Sequence, residues 1–98
     1  MYIYIWEYKV TDENRTAFES AYGSDGEWEK LFSDNNGYIR TELFLDKSRN
    51  RYITIDYWES KQHFIDFQKA FRNEYDELNK KCDELTYRET AIGEFEKI

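Results

Sequence analysis

Apolar residues along this chain change their period at one place. The run Tyr52-Ile53-Thr54-Ile55-Asp56-Tyr57-Trp58-Glu59-Ser60 gives way there to Phe64, Phe67, Phe71, Tyr75, Leu78, Cys82 and Leu85. Alternating β-branched and aromatic residues predict a strand buried on both faces. Recurrence every three or four residues predicts a long amphipathic helix, capped by Ser60 and running to about Leu85. The junction carries Asp56, Trp58 and His63, a polar group of residues in an aromatic setting.

The same rule places the other elements. Met1 to Val10 alternates, with Tyr2, Tyr4, Trp6 and Tyr8 on one parity and Ile3 and Ile5 on the other, and predicts a first strand. Thr11 or Asp12 can cap a helix with Ala17, Phe18, Ala21 and Tyr22 on its apolar face and Gly23 as its stop. Ser24-Asp25-Gly26-Glu27 has the form of a capping box and leads into Trp28, Leu31 and Phe32, which predict a short second helix. Asn35-Asn36-Gly37 predicts a turn, and Tyr38 to Asp46 a strand. The polar loop 46–50 should join that strand to the next as a hairpin, and Thr86 to Phe95 predicts a last strand.

This order, β-α-β-β-α-β with a short extra helix, predicts a single α+β domain over 1–98. The favoured topology is ferredoxin-like, a four-stranded antiparallel sheet with its helices on one face. Parity divides the sheet into an aliphatic set (Ile3, Ile5, Ile39, Leu43, Leu45, Ile53, Ile55) and an aromatic and polar set (Tyr4, Trp6, Tyr8, Phe44, Thr54, Asp56, Trp58). The aliphatic set suits packing on a second sheet, and the aromatic set suits the space beneath the helices. Large rings beside small residues such as Thr54 and Ala91 leave room for a cavity there. Two helices cannot cover both faces of so apolar a sheet, so a twin subunit is expected on the other.

Composition narrows the function. The formal net charge of −7 and the scatter of the 14 Lys and Arg residues disfavour nucleic acid and anionic membrane as partners. The opening segment lacks a positively charged stretch and its apolar run is interrupted at Glu7, so the expectation is a cytoplasmic chain. Cys82 is the only cysteine, which excludes an intrachain disulfide, and its helical spacing reads as a small buried hydrophobe. One histidine among dispersed carboxylates gives no metal-ligand cluster.

Three stretches together resemble the antibiotic biosynthesis monooxygenase-like superfamily of dimeric α+β barrel proteins. They are the Met1-Tyr-Ile-Tyr-Ile-Trp-Glu-Tyr start, Asn36-Gly37-Tyr38 leading to Thr41-Glu42-Leu43, and Thr54-Ile-Asp-Tyr-Trp-Glu-Ser60 entering a helix with Phe64 and Phe67. The resemblance implies a homodimer whose sheets close into a barrel, with a pocket between sheet and helices in each subunit. It also implies membership in a family that mixes cofactor-independent oxygenation of polyphenolic aromatics, haem degradation and members without known activity.

Carried over residue by residue, Trp58 falls where both branches have a pocket tryptophan. Tyr8 and Gln68 stand where the haem-degrading branch has asparagine and histidine, so that activity is not expected. Thr54 and Phe64 stand where the quinone-forming branch has an asparagine and a tyrosine that assist the substrate.

Oxygenation without a cofactor needs a pocket for an electron-rich phenol, a base to deprotonate it and exclusion of water. Asp56, desolvated in a central strand, and His63, in the first turn of the long helix, are the candidate bases. Trp58, Trp6, Tyr8, Thr54 and Phe64 are the candidate substrate walls. Trp28 is a candidate lid. The competing reading is a non-catalytic ligand-binding or stress-related dimer that keeps the pocket without the chemistry, and a third is a structural interaction module in which the same rings are simple core.

Overall fold

The computed structural model describes all residues, 1–98. Strand β1 (Tyr2–Lys9) leads through a 3-10 turn at Asp12–Asn14 into helix α1 (Arg15–Tyr22) and then helix α2 (Glu27–Ser33). Strands β2 (Tyr38–Asp46) and β3 (Arg51–Trp58) form a hairpin; helices α3 (Lys61–Ala70) and α4 (Arg72–Cys82), a 3-10 turn and strand β4 (Arg88–Glu96) complete the chain. All pairings are antiparallel and the sheet order is β2-β3-β1-β4. This is the expected ferredoxin-like α+β fold, with β1 and β3 as central strands. No helix is long and apolar enough to cross a membrane.

Local chemistry explains most boundaries. Ser60 caps α3, its side chain accepting from the His63 backbone N–H at 3.2 Å. Asn50, with φ of 50°, closes the β2–β3 turn in the left-handed region that asparagine tolerates. The box expected from Ser24 and Glu27 does not form: Gly26 is the residue before α2, and Glu29 instead accepts weakly from the Asp25 N–H at 3.4 Å. Asp25 takes φ of 61°, a turn that leaves exposed Ser24 too early in the chain to cap.

The expected single long helix is bent at Phe71, where φ −118° and ψ 33° depart from helical values. Backbone bonds from Phe71 N–H to Phe67 O and from Tyr75 N–H to Phe71 O, both 2.9 Å, carry the chain across the bend. Phe67 and Phe71 stack at 5.8 Å on one side of it, and α4 brings Tyr75 to within 5.3 Å of the Trp28 ring.

β1 and β3 present the faces that alternation predicts. Tyr2, Tyr8, Tyr52, Thr54 and Trp58 are buried, while Ile3, Ile5, Ile53 and Ile55 are only half-buried on the outer side. β2 departs from the prediction. Its register against β3 shifts between Tyr38 and Arg40, so Thr41 pairs with Asp56, Leu43 with Thr54 and Leu45 with Tyr52. Leu43 and Leu45 therefore belong to the helix side and Phe44, opposite Ile53, to the outer side, the reverse of their expected assignment.

The core lies between sheet and helices. It is mostly aromatic: Tyr2, Phe18 and Trp58 are fully buried together with Cys82, the small hydrophobe expected from its spacing.

Candidate functional site

A cavity opens between the centre of the sheet and the helices. Its floor is Trp6 and Tyr8 from β1, Thr41 from β2, Thr54 and Asp56 from β3, and Glu89 from β4. Its roof is Tyr22 from α1, Trp28 and Phe32 from α2, and Tyr75 and Asn79 from α4. Asn79 and Glu89 are the exposed members and mark the mouth. The interior volume is about 80 Å³. That is about half the ~150 Å³ of an apolar cavity that binds benzene, so a ring enters only as side chains at the mouth yield.

Both edge strands reach the cavity through irregularities. The shift in β2 turns Thr41 inward opposite Asp56. A second shift, between Ile5 and Trp6 on β1 and around Ile92 on β4, sets Ala91 opposite Trp6 and Glu89 opposite Tyr8 on the helix side.

Asp56 is the carboxylate at the floor. Thr41 donates to its Oδ1 at 2.8 Å, and the Tyr38 hydroxyl donates to the same Thr41 oxygen at 2.8 Å. Oδ2 receives no hydrogen bond from the protein. Burial pushes the Asp56 carboxyl up to about 6, with the Thr41 bond pulling modestly the other way. A carboxyl so poised takes and gives a proton near neutral pH.

The surrounding phenols go up for the same reason. Desolvation raises Tyr8 and Tyr22, and Tyr38 and Tyr75 are each pushed up to about 12. They remain neutral donors while Asp56 titrates. Glu89 is also raised, chiefly by desolvation, and the Thr86 hydroxyl donates to it at 3.3 Å.

Of the residues expected to form the site, the structure brings Asp56, Trp6, Tyr8 and Thr54 together around the cavity. Trp58, Phe64 and His63 are not part of its lining. Trp58 is sealed among Phe32, Tyr38, Phe64 and Phe67 at centroid distances of 5.3 to 5.7 Å, and its Nε1 is buried without an acceptor. Phe64 is buried against Tyr2 and Tyr4.

His63 lies at the rim of the β3–α3 junction. Its Nδ1 is 2.7 Å from Ser60 Oγ, its Nε2 3.8 Å from Glu59, and its ring covers Gly37, whose φ of 87° suits a residue with no Cβ. Trp28 roofs the cavity, touching Tyr22, Phe32 and Tyr75, and is itself buried.

Tyr22, Phe32, Thr41, Tyr75, Asn79 and Glu89 complete the lining without having been expected there. Tyr75 and Asn79 carry a readable signal, since their four-residue spacing puts them on one helix face. Thr41 and Glu89 carry none, because only the strand irregularities aim them inward. No three His, Cys, Asp or Glu side chains converge as metal ligands.

A family model described as antibiotic biosynthesis monooxygenase matches residues 1–80. No curated protein matches the chain by sequence. Among solved structures, one from Nitrosomonas europaea, assigned to the antibiotic biosynthesis monooxygenases, superposes with a TM-score of 0.74 at 12% identity, covering 100% of this chain and 99% of that one. A Bordetella bronchiseptica structure with the same assignment gives 0.76 at 18% identity, covering 99% and 96%. SnoaB, a cofactor-independent oxygenase from Streptomyces nogalater, gives 0.72 at 15% identity, covering 99% and 92%. At these identities the likeness is one of fold.

Proposed function

The chain belongs to the antibiotic biosynthesis monooxygenase family, and from that membership and its interior cavity we propose that it oxidises a small phenolic metabolite with molecular oxygen, using Asp56 as general base. The observation that carries this reading is the unbonded Oδ2 of a carboxylate poised near pH 6 at the floor of an aromatic cavity. SnoaB, a neighbour in fold, is a cofactor-independent oxygenase, which supports the same chemistry here.

In the proposed reaction the ring stacks between Trp6, Tyr8 and the roof residues. Asp56 removes a proton, and the resulting anion gives its electrons to O2. A ring carbon–oxygen bond forms, the peroxide takes the proton back from Asp56, and loss of water with the hydrogen on that carbon leaves a carbonyl. Thr54 and Thr41 flank the reacting oxygen. Trp58 and Phe64 contribute by fixing the end of β3, and His63 by holding the Gly37 turn.

Family members are commonly dimeric. We assign the outer sheet face, where Phe44 is 47% exposed beside Ile53 and where Phe95 and Ile92 are also exposed, to packing against a second copy of this chain.

A non-catalytic binder of the same guest is favoured by one observation: Thr54 and Phe64 supply neither an amide nor a phenol to the substrate, and Phe64 is turned into the core. Oxygen consumption decides between the two. The metal-free protein with dihydroxybenzenes should consume O2, and Asp56→Asn should lower the rate by about 100-fold or more. Quenching of tryptophan fluorescence without oxygen uptake would establish the binder instead.

A further inference from the structure

The charged residues lining the cavity are Asp56 and Glu89, and both are acidic; no Lys, Arg or His side chain lines it. The walls are rings: Trp6, Tyr8, Tyr22, Trp28, Phe32 and Tyr75. We propose that this cavity is an aromatic cage for an organic cation, and that its guest is a one-ring arylalkylamine whose ammonium group pairs with Glu89 at the mouth. The phenolic hydroxyl assigned to Asp56 rests on the function proposed above; the preference for a cation does not.

Aromatic faces carry negative potential and attract ammonium groups most strongly where water is excluded. Two carboxylates placed among those faces reinforce the same sign. An anionic guest would enter against both carboxylates and the faces of the rings. A neutral guest would leave the carboxylates as they are in the empty site, with burial raising both. An ammonium group relieves that burden. The formal net charge of −7 also draws cations toward the mouth.

Placement in the sheet gives the guest its shape. Asp56 pairs with Tyr4 on one side of β1, and Glu89 pairs with Tyr8 on the other. Four residues along β1 and two strand spacings across it separate their Cα atoms by about 16 Å. With both side chains reaching inward, the carboxylates bracket a ring bearing a short chain. The cavity's volume of about 80 Å³, which admits even one ring only as the mouth yields, favours the smallest aromatic guest.

Titration calorimetry on the full chain with three para-substituted phenols tests this: tyramine (cationic), para-ethylphenol (neutral) and para-hydroxyphenylpropionate (anionic). Tyramine should bind about tenfold more tightly than para-ethylphenol, and the propionate most weakly. Glu89→Gln, at an exposed position, should remove the tyramine advantage and bring tyramine to about the affinity of para-ethylphenol. Added salt should weaken tyramine alone.

Equal affinities for the three probes, or tightest binding of the propionate, would overturn the inference. So would a tyramine advantage that survives Glu89→Gln and is insensitive to salt. Failure of the oxygenase reading has a different signature: tyramine preferred but no oxygen consumed with any phenol. Oxygen uptake with dihydroxybenzenes and no preference for the amine would sink the cation cage and leave the oxygenase standing.

Discussion

Thr41 holds Asp56 through a single neutral hydrogen bond of 2.8 Å across the β2–β3 pairing. No cation shares that carboxylate, and burial dominates its titration. A group held this way is costly to the fold and useful to a reaction, and both consequences can be measured.

The folded chain holds the Asp56 carboxyl at about 6 against an ordinary 3.8. Between those values the native state binds a proton that the unfolded chain has released, so this group's contribution to stability falls as pH rises from about 4 to about 6. The full gap corresponds to about 3 kcal/mol. Asp56→Asn cannot ionise, and above pH 7 it should be more stable than the parent by about 2 kcal/mol, or on the order of 10 °C in Tm. Thermal melts of the two proteins should converge near pH 4.

Removing the one donor should move the titration further. Thr41→Val keeps the volume and takes away the hydroxyl, so the Asp56 carboxyl should rise by about one pH unit. The acidic limb of kcat/KM against pH should shift up accordingly, while the maximal rate at high pH changes little. A profile that does not move would mean that Asp56 is not the group titrating in the reaction.

Trp28 roofs the cavity and Trp58 does not reach it. Trp6 and Trp28 both line the cavity, so Trp6→Phe and Trp28→Phe should each remove part of the fluorescence quenching caused by a bound phenol. Trp58→Phe should retain the quenching and lower stability by about 1–2 kcal/mol, the lost packing volume being partly offset by removal of a buried N–H without an acceptor. Fluorescence titration and urea melts on the three variants separate these outcomes.

Ile55 lies at the centre of the outer face, paired with Ile5 on β1 and Glu42 on β2. Ile55→Glu should convert a dimer into a monomer at micromolar concentration in sedimentation velocity, because an unpaired carboxylate at a packed interface costs several kcal/mol. The variant's own fold should persist, since Ile55 is only half-buried within one chain. An Ile55→Glu protein that sediments as the parent does would remove that face from the interface.

Element types, order and topology were legible because each element of this chain keeps one period for long enough to read: β1 and β3 alternate without interruption, and Phe64, Phe67 and Phe71 repeat at helical spacing. Asp56, Trp6, Tyr8 and Thr54 were legible as residues of the interior cavity for the same reason, since parity alone puts them on the helix side. Trp58 shares that parity, yet Phe32 and Phe67 close over it, a packing event that spacing does not record. The face of β2 and the inward turn of Glu89 were hidden because one extra residue in a strand reverses every parity beyond it. The bend at Phe71 was hidden because its apolar spacing runs on unbroken across it.

The irregularity at Tyr38 to Arg40 also decides what kind of interior this protein has. Were β2 regular from Tyr38 onward, Arg40 rather than Thr41 would sit across from Asp56. A guanidinium in that place would lock the carboxylate as a permanent anion, its proton affinity gone. As built, Arg40 is sent to the outer face, where it rests 4.0 Å over the Tyr57 ring. A single inserted residue thus separates a fold with an internal ion pair from one that keeps an acid free to trade its proton.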